Sequence, residues 1–154
     1  QTFLAILDQI GGYKEDPLRK KSGLLALILN QRPENFITFG EGEQLSPVID
    51  YHLMRSCLRV GLVEIVDDLL RAQLVSRQII QSQDEWAVRY AAYQAIEQVV
   101  AGSGKSMGAV DWFFFNARKR CPEMTEPDCQ QCPVDPVCMH NKIFFQPVLR
   151  TTFY

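Results

Sequence analysis

The amino-acid sequence predicts an all-α protein, and three observations support this fold class. Apolar residues recur at helical spacing along most of the 154 residues, no stretch of useful length alternates with period two, and four cysteines follow the last predicted helix. With 47% apolar and 22% charged residues, the chain has the composition of one ordinary globular domain. We therefore expect one helical body followed by a cysteine-rich loop.

The N-terminal part of the chain contains two predicted helices. Residues 2–10 form a short helix that ends at a pair of glycines. Asp16, an N-cap residue ahead of Pro17, begins a second helix that runs to about Asn30. All six residues from 24 to 29 are apolar, which predicts that this second helix is the buried centre of the fold.

Two more helices are expected after a long loop. Residues 31–47 hold two Pro and two Gly without a sustained period, which predicts the loop. Asp50 then precedes four apolar residues at helical spacing, and Gly61 follows them. The four residues are Leu53, Met54, Cys57 and Leu58. We therefore expect a third helix with Asp50 as its N-cap and Gly61 at its C-terminal end. Residues 63–71 predict a short fourth helix.

Two longer helices precede the cysteines. Ser82 and Glu85 have the spacing of a capping box ahead of an apolar helical face, which predicts a helix that ends near residue 102. The segment 102–106, Gly-Ser-Gly-Lys-Ser, lacks the first glycine of a phosphate-binding loop and follows no strand. It therefore predicts a linker whose last serine caps a final helix over about residues 106–120.

Four cysteines with the spacing Cys-x7-Cys-x2-Cys-x5-Cys are the most specific chemical signal: Cys121, Cys129, Cys132 and Cys138. Thiolates ligate iron–sulfur clusters and zinc, but a structural zinc site usually has two Cys-x2-Cys pairs and this chain has one. We expect a [4Fe-4S] cluster, with zinc and disulfides as the alternatives. The fifth cysteine, Cys57, is expected to be a small core residue.

The charge balance argues against strong non-specific binding to nucleic acid. The net charge is −2, whereas duplex binders gain most of their affinity from an excess of Lys and Arg. Basic residues do cluster at 14–21 and 118–120, as expected either for solvated helix ends or for a local contact with nucleic acid. No apolar run approaches the roughly twenty residues of a membrane span, so no membrane association is expected. The odd cysteine count and the lack of a signal-peptide pattern predict a cytoplasmic protein.

The segment 48–62, which begins Val-Ile-Asp-Tyr-His-Leu-Met-Arg, resembles the Val-Asp-Thr-His-x-x-Arg segment of endonuclease III-like DNA glycosylases, the helix-hairpin-helix superfamily. The cysteine pattern is similar to the cluster loop of that family, with one extra residue in its first interval. The resemblance implies a helix-hairpin-helix glycosylase-like domain over residues 1–120, lacking some N-terminal elements if the chain is a fragment. It further implies a [4Fe-4S] loop over 121–138. The tail over 139–154 is rich in apolar residues, so we expect it to pack on the domain, with packing on a partner as the alternative.

The resemblance also implies roles for individual residues. Asp50 matches the catalytic aspartate of the family, and the four cysteines match its cluster ligands. Lys21 is the nearest counterpart of the family's lysine, which would place an amine near Asp50 for attack on a sugar carbon. Tyr51 and His52, which follow Asp50 directly, are expected to shape the substrate pocket.

Two departures from the family pattern bear on the substrate. The hairpin glycines that approach a DNA phosphate are missing, and the cluster loop carries Glu123, Glu126 and Asp128 where the family tends to have basic residues, which argues against binding of duplex DNA. Tyr51 replaces the Thr of the family pattern. The resulting Asp-Tyr pair, ahead of a helix that ends in Leu-Arg, is similar to the queuosine-salvage nucleoside hydrolases, which cleave the N-glycosidic bond of a small nucleoside.

We therefore expect an N-glycosylase, a hydrolase of N-glycosidic bonds that acts on a nucleoside or a modified base. One alternative is a non-catalytic iron–sulfur module that binds nucleic acid or a protein partner. A base-excision DNA glycosylase with AP lyase activity is the third possibility.

Overall fold

The computed structural model describes residues 2–41 and 43–154. This part of the chain contains no β-strand, only an isolated bridge between Ile79 and Val148, so the predicted all-α class is confirmed. Two short 3₁₀ turns lie in the cysteine loop, at Cys129–Gln131 and Asp135–Val137. The helices are α1 (Phe3–Leu7), α2 (Lys20–Gln31), α3 (Tyr51–Val60), α4 (Asp68–Val75), α5 (Ser82–Ser103) and α6 (Met107–Ala117).

Helix α3 lies at the centre of the helical body and packs against both α5 and α6. Met54, Cys57 and Leu58 of this helix are completely buried. The Asp50 carboxylate accepts a hydrogen bond from the Leu53 backbone N–H at 2.8 Å, and Gly61 ends the helix with a φ of 92°. Both predicted caps of α3 are therefore confirmed.

The predicted start of the second helix is wrong. Helix α2 begins at Lys20, because Arg19 adopts a left-handed conformation with a φ of 52° and interrupts the helical path. Asp16 does bind backbone N–H groups, those of Leu18 and Lys20, at 3.0 and 2.7 Å. Its carboxylate is nevertheless buried, and its main partner is the side chain of Arg89 in α5.

The predicted position of the second helix at the centre of the fold is also wrong. Of its apolar run 24–29, only Ala26 and Leu27 are buried, and Ile28 is exposed. A run of apolar residues covers all sides of a helix, so it cannot indicate which side packs on the core. Helix α3 carries a more clearly one-sided pattern, and it occupies the centre instead.

Several predicted boundaries shift by one turn or more. Helix α1 ends at Leu7, and α4 begins after Asp67, whose carboxylate caps it at 2.7 Å. The predicted capping box is wrong, because Gln81 is the N-cap of α5 and makes no side-chain capping bond. Ser106 caps α6 as predicted, since its hydroxyl accepts a hydrogen bond from the backbone N–H three residues later.

The C-terminal segment 139–154 lies against the helical body. Phe144 is buried in the main hydrophobic core, and the Val148 carbonyl accepts a hydrogen bond from the Ile80 N–H at 3.1 Å. At the end of the chain, the Tyr154 hydroxyl donates to the Glu85 carboxylate at 2.9 Å. None of the helices in the described ranges has both the length and the apolar composition of a membrane span.

Candidate functional site

The four loop cysteines line a single cavity between α3, α6 and the loop itself. All four side chains are partly buried and unpaired by disulfides. Much of the remaining lining is apolar and consists of Val60, Phe114, Ala117, Pro127 and Val134. The loop therefore presents its thiols inward, away from bulk water.

Two N–H groups point at the cysteine sulfurs. The buried Arg59 guanidinium of α3 donates through Nη1 to Cys121 Sγ at 3.4 Å and to the Pro122 carbonyl at 2.8 Å. The His140 backbone N–H donates to Cys138 Sγ at 3.3 Å. Such donors stabilise a thiolate and are typical of the surroundings of a metal-bound sulfur.

Burial is the main influence on the pKa of the Cys138 thiol. The pKa of Cys138 is raised by burial and, more weakly, by the approach of the other three thiols, while the hydrogen bond from His140 opposes the shift. Four thiolates in this cavity would therefore repel one another unless a positively charged metal core lay between them.

The geometry of the ligand atoms separates two kinds of metal site. Within the described part of the chain, one group of metal-ligating side chains has its ligand atoms within 4.8 Å of one another, and it consists of Cys129, Asp135 and His140. No three of the loop cysteines form such a group among the described residues. A single zinc ion held by four thiolates at about 2.3 Å needs sulfurs only about 3.8 Å apart. The cysteine sulfurs do not gather that closely in this structure, and the cavity that they line has a volume of about 40 Å³.

The acidic residues of the loop have local partners. Glu126 accepts a hydrogen bond from Lys142 Nζ at 2.6 Å, Asp128 lies 3.2 Å from Arg120 Nη1, and Glu123 lies 3.6 Å from the buried guanidinium of Arg55. The sequence predicted that these three carboxylates would repel DNA. Because each is paired within the protein, their effect on an approaching phosphate is much reduced.

A second cavity lies at the N-terminal end of α3, where Asp50 meets α6. It is lined by Asp50, His52, Leu53, Ser56, Asp111, Phe114, Phe115 and Arg118. Its volume of about 30 Å³ is far below the roughly 300–1,000 Å³ of pockets for drug-sized ligands, so the cavity itself holds one or two water molecules. The predicted residues Asp50 and His52 therefore lie together in a cavity.

Asp50 and Asp111 form a pair of carboxyl groups in different environments. The pKa of Asp111 is raised by burial and by the nearby charge of Asp50, whereas Lys20 and Arg118 oppose the shift. Asp50 instead accepts a backbone hydrogen bond at the helix N-terminus, where the helix dipole favours a negative charge. Burial and the neighbouring charge thus bias Asp111 towards its protonated form.

The neighbouring residues differ in their relation to this cavity. Burial lowers the pKa of His52, which favours the neutral imidazole, and Arg55 Nη2 lies 3.3 Å from its Nδ1. The Tyr51 ring stacks against His52 with centroids 4.0 Å apart and does not line the cavity. Lys21 Nζ donates to the Gly12 carbonyl at 3.4 Å, so the structure does not bring it to Asp50. The predicted catalytic role of Lys21 stays a prediction.

An exposed aromatic surface adjoins the mouth of the Asp50 cavity. The rings of Trp112 and Phe115 stack with centroids 5.6 Å apart, and 64% and 41% of these residues is exposed. The Arg118 guanidinium lies over the Phe115 ring at 4.0 Å. Aromatic faces of this kind stack well on planar ligands.

Sequence reasoning missed three residues of this cavity, all on α6. Asp111, Phe115 and Arg118 follow one another at i, i+4 and i+7, so they share one face of the helix. That spacing was visible in the sequence, but nothing there indicated that this face would meet Asp50. The contact depends on how α3 and α6 pack.

Comparison of the chain with protein-family models, with curated proteins and with solved structures finds no match. The resemblance to endonuclease III-like glycosylases therefore stays a prediction. The two cavities must be interpreted from their own geometry.

Proposed function

We propose that this chain hydrolyses the N-glycosidic bond of a nucleoside or a modified base, and that its four loop cysteines hold a [4Fe-4S] cluster. The observation that carries the catalytic part is the presence of Asp50 and Asp111 in one cavity. Enzymes that break glycosidic bonds commonly use two carboxyl groups, one protonated and one charged, whose environments separate their pKa values.

The two carboxyl groups have complementary roles in this proposal. Asp111 gives its proton to the nitrogen of the departing base as the bond between that nitrogen and C1′ breaks. The Asp50 carboxylate stabilises the positive charge that develops on the sugar, and it accepts a proton from the water whose oxygen bonds to C1′. The products are the free base and a sugar with a hydroxyl group at C1′.

The aromatic surface beside the cavity supports a nucleobase as the leaving group. The cavity has room for one or two water molecules, so a nucleoside would lie at its mouth, with the base against Phe115. Stacking of a base on an aromatic side chain contributes about 1–3 kcal/mol and tolerates different bases. This arrangement selects for a planar leaving group and leaves its identity open.

The cysteine cavity supports the cluster. Its four sulfurs do not gather within 4.8 Å as the ligands of one zinc ion would, much of its lining is apolar, and N–H groups of Arg59 and His140 point at two sulfurs. The cluster would serve as a structural crosslink between the loop and α3.

Base release from a panel of ribonucleosides and deoxyribonucleosides tests the proposed reaction. Chromatography of the products should show that Asp50→Asn lowers turnover at least about 100-fold, because asparagine cannot carry the negative charge. Asparagine is also a good N-cap, so the helix should remain folded.

Asp67→Asn is the matched control, since Asp67 caps α4 through the same kind of hydrogen bond and lines neither cavity. Turnover of this variant should equal that of the wild type. An equal loss in both variants, or turnover of no nucleoside by the wild-type holoprotein, would contradict the proposed activity.

A non-catalytic iron–sulfur module is the second candidate, and a surface near the cysteine loop favours it. Leu62, Phe113 and Val137 are exposed and line one apolar groove between α5, α6 and the loop. In that case the wild type would bind a nucleic acid or a protein without releasing any base.

A DNA glycosylase with AP lyase activity is the third candidate, and the local pairing of the acidic loop residues makes it more plausible than the sequence did. A gel-shift assay with duplex DNA at several salt concentrations tests it. Tight binding that weakens steeply with salt would favour this function over hydrolysis of a free nucleoside.

A further inference from the structure

The cysteine loop gathers a second set of metal ligands that differs from the four thiols. A sulfur of Cys129, a carboxylate oxygen of Asp135 and a ring nitrogen of His140 all lie within 4.8 Å of one another. We propose that these three side chains bind a single divalent zinc-type cation when the four-cysteine site is not filled.

The chemistry of the three donors fits zinc. Thiolate, imidazole and carboxylate are its usual protein ligands, with bonds of about 2.3, 2.0 and 2.0–2.2 Å. In a tetrahedron these bond lengths place the ligand atoms about 3.3–3.6 Å apart. The three ligand atoms lie within 4.8 Å of one another here, so small side-chain movements suffice to bind the ion. The thiolate also favours zinc over magnesium or calcium, which prefer oxygen ligands.

The present contact between Asp135 and His140 marks the position of the ion. His140 Nε2 lies 2.7 Å from Asp135 Oδ1, so the two groups share a proton where a cation would bind. Replacing that proton by zinc requires the two atoms to separate by less than about 1 Å. Both side chains are nearly half exposed, which leaves them free to make this movement.

The backbone helps to hold His140 over the loop. His140 has a φ of 53°, a left-handed conformation that is uncommon for a residue other than glycine, and its N–H donates to Cys138 Sγ. The loop thereby turns back on itself, so that the imidazole lies against Asp135. Three protein ligands leave the fourth position of the tetrahedron to water.

The two modes of ligation share Cys129 but differ in other residues. Cys121 belongs to the four-thiol site alone, whereas Asp135 and His140 belong to the zinc site alone. The loop can therefore hold the cluster or the single ion, but not both together. Substitution of Cys121 on the one hand, or of Asp135 or His140 on the other, therefore distinguishes the two sites.

The test uses the full chain, stripped of metal under reducing and anaerobic conditions, and titrated with Zn²⁺ in competition with a chromophoric chelator. His140→Ala and Asp135→Asn should each lower the zinc affinity at least about tenfold, whereas Cys121→Ser should leave it unchanged. With Co²⁺ as the probe, the wild type should show tetrahedral d–d bands and a thiolate charge-transfer band, and His140→Ala should lose the d–d intensity.

Reconstitution with iron and sulfide provides the opposite comparison. Cys121→Ser should fail to assemble a cluster, while His140→Ala should assemble it. A wild-type protein that stays colourless would contradict the proposed cluster but not the proposed zinc site. Far-UV circular dichroism checks that each variant is folded. X-ray absorption of the zinc-loaded wild type gives a readout without any mutation, and mixed sulfur and nitrogen or oxygen ligands are expected.

Three results would overturn the proposal. Wild-type apoprotein that binds no zinc has no such site. Zinc binding that survives His140→Ala and Asp135→Asn but is lost in Cys121→Ser belongs to the four thiols. An absorption spectrum with four sulfur ligands leads to the same conclusion.

Discussion

Glu85 of α5 illustrates how burial changes the chemistry of a single residue. Its side chain is 1% exposed, and burial raises its pKa above the usual value, while the hydroxyl of Tyr154 and the charge of Arg89 oppose the shift. The last residue of the chain thus acts on a carboxyl group in the middle of the helical body. Removing either partner should therefore be visible in the pH dependence of stability.

We expect Glu85→Gln to change how stability depends on pH. Between its ordinary pKa of 4.5 and its raised pKa in the folded state, Glu85 binds more protons when folded than when unfolded. Its contribution to the free energy of unfolding is complete below pH 4.5 and is lost as the pH rises through the raised pKa. Urea denaturation from pH 4 upward should show the wild type losing stability relative to Glu85→Gln as the pH rises.

Tyr154→Phe provides the comparison for this prediction. The variant removes a hydrogen bond that lowers the pKa of Glu85, so its stability should fall more steeply with rising pH than that of the wild type. Parallel stability curves for wild type and Glu85→Gln would contradict the raised pKa.

At the residue scale, the sequence indicated local chemistry and missed contacts between distant residues. Asp50 was found because a helix cap leaves a local pattern. Asp111 was missed because its partner is 61 positions away in the chain. Asp16 was recognised as a polar residue at the start of a helix, but its buried partner Arg89 lies on another helix and leaves no local signal.

At the scale of elements, one buried ion pair joins the segment before α2 to α5 and α3. Arg89 is completely buried, and its two terminal nitrogens each donate to the Asp16 carboxylate at 2.8 Å. Its Nε donates to the Ile49 carbonyl at 3.3 Å, directly before Asp50. The guanidinium therefore fixes the backbone that leads into α3.

Asp16→Asn should destabilise the protein by ~3–5 kcal/mol, because it leaves the buried guanidinium of Arg89 without its counter-charge. Asp8→Asn is the matched control, since Asp8 pairs with Arg19 at the surface and should contribute at most ~1 kcal/mol. Chemical denaturation measures both.

The double variant Asp16→Leu/Arg89→Met should be more stable than Asp16→Asn, because it buries no charge. Similar losses for Asp16→Asn and Asp8→Asn would show that the buried pair has no special role.

The C-terminal end of α3 is a second junction between elements. Gly61 has a left-handed φ of 92°, and a Cβ at this position would overlap the Met139 side chain of the cysteine loop. The Met139 N–H donates to the Val60 carbonyl at 2.9 Å, and Asn141 makes a similar bond to Arg59 at 3.0 Å. The loop is therefore held against the helix end at a point where only glycine fits.

Gly61→Ala should cost more stability than Gly104→Ala. Both glycines end helices with positive φ, so each substitution carries a backbone cost of about 1–2 kcal/mol. No atom lies near a Cβ at Gly104, whereas at Gly61 the overlap with Met139 should add ~1–3 kcal/mol. Thermal unfolding and iron content measure the two effects, and Gly61→Ala alone should also lower retention of the metal. Equal losses in the two variants would show that the helix end and the loop are not coupled.

For the whole molecule, the sequence predicted the helical class and the order of the helices, but not which helix forms the centre. Helix caps and cysteine spacing are local properties and can be detected in one dimension. The choice between α2 and α3 as the centre depends on long-range packing, to which the apolar run of α2 gave a misleading signal. The packing of α3 on α6, which contributes residues to both cavities, is equally non-local.

The cysteine loop has little regular structure, and four thiols line the cavity beside it, so a protein that holds the proposed cluster should depend on it for stability. Cys129→Ser should lose bound iron and unfold at a lower denaturant concentration. The free energy of unfolding should fall by ~3 kcal/mol, the stabilisation that a ligand provides at about 100 times its Kd. Cys57→Ser is the comparison, because Cys57 is a buried core residue whose pKa is raised to about 12 by burial. That variant should lose stability through its buried hydroxyl but retain the iron of the wild type. Iron analysis together with urea denaturation distinguishes the two, and a Cys129→Ser protein with full iron content would show that the loop does not hold the cluster.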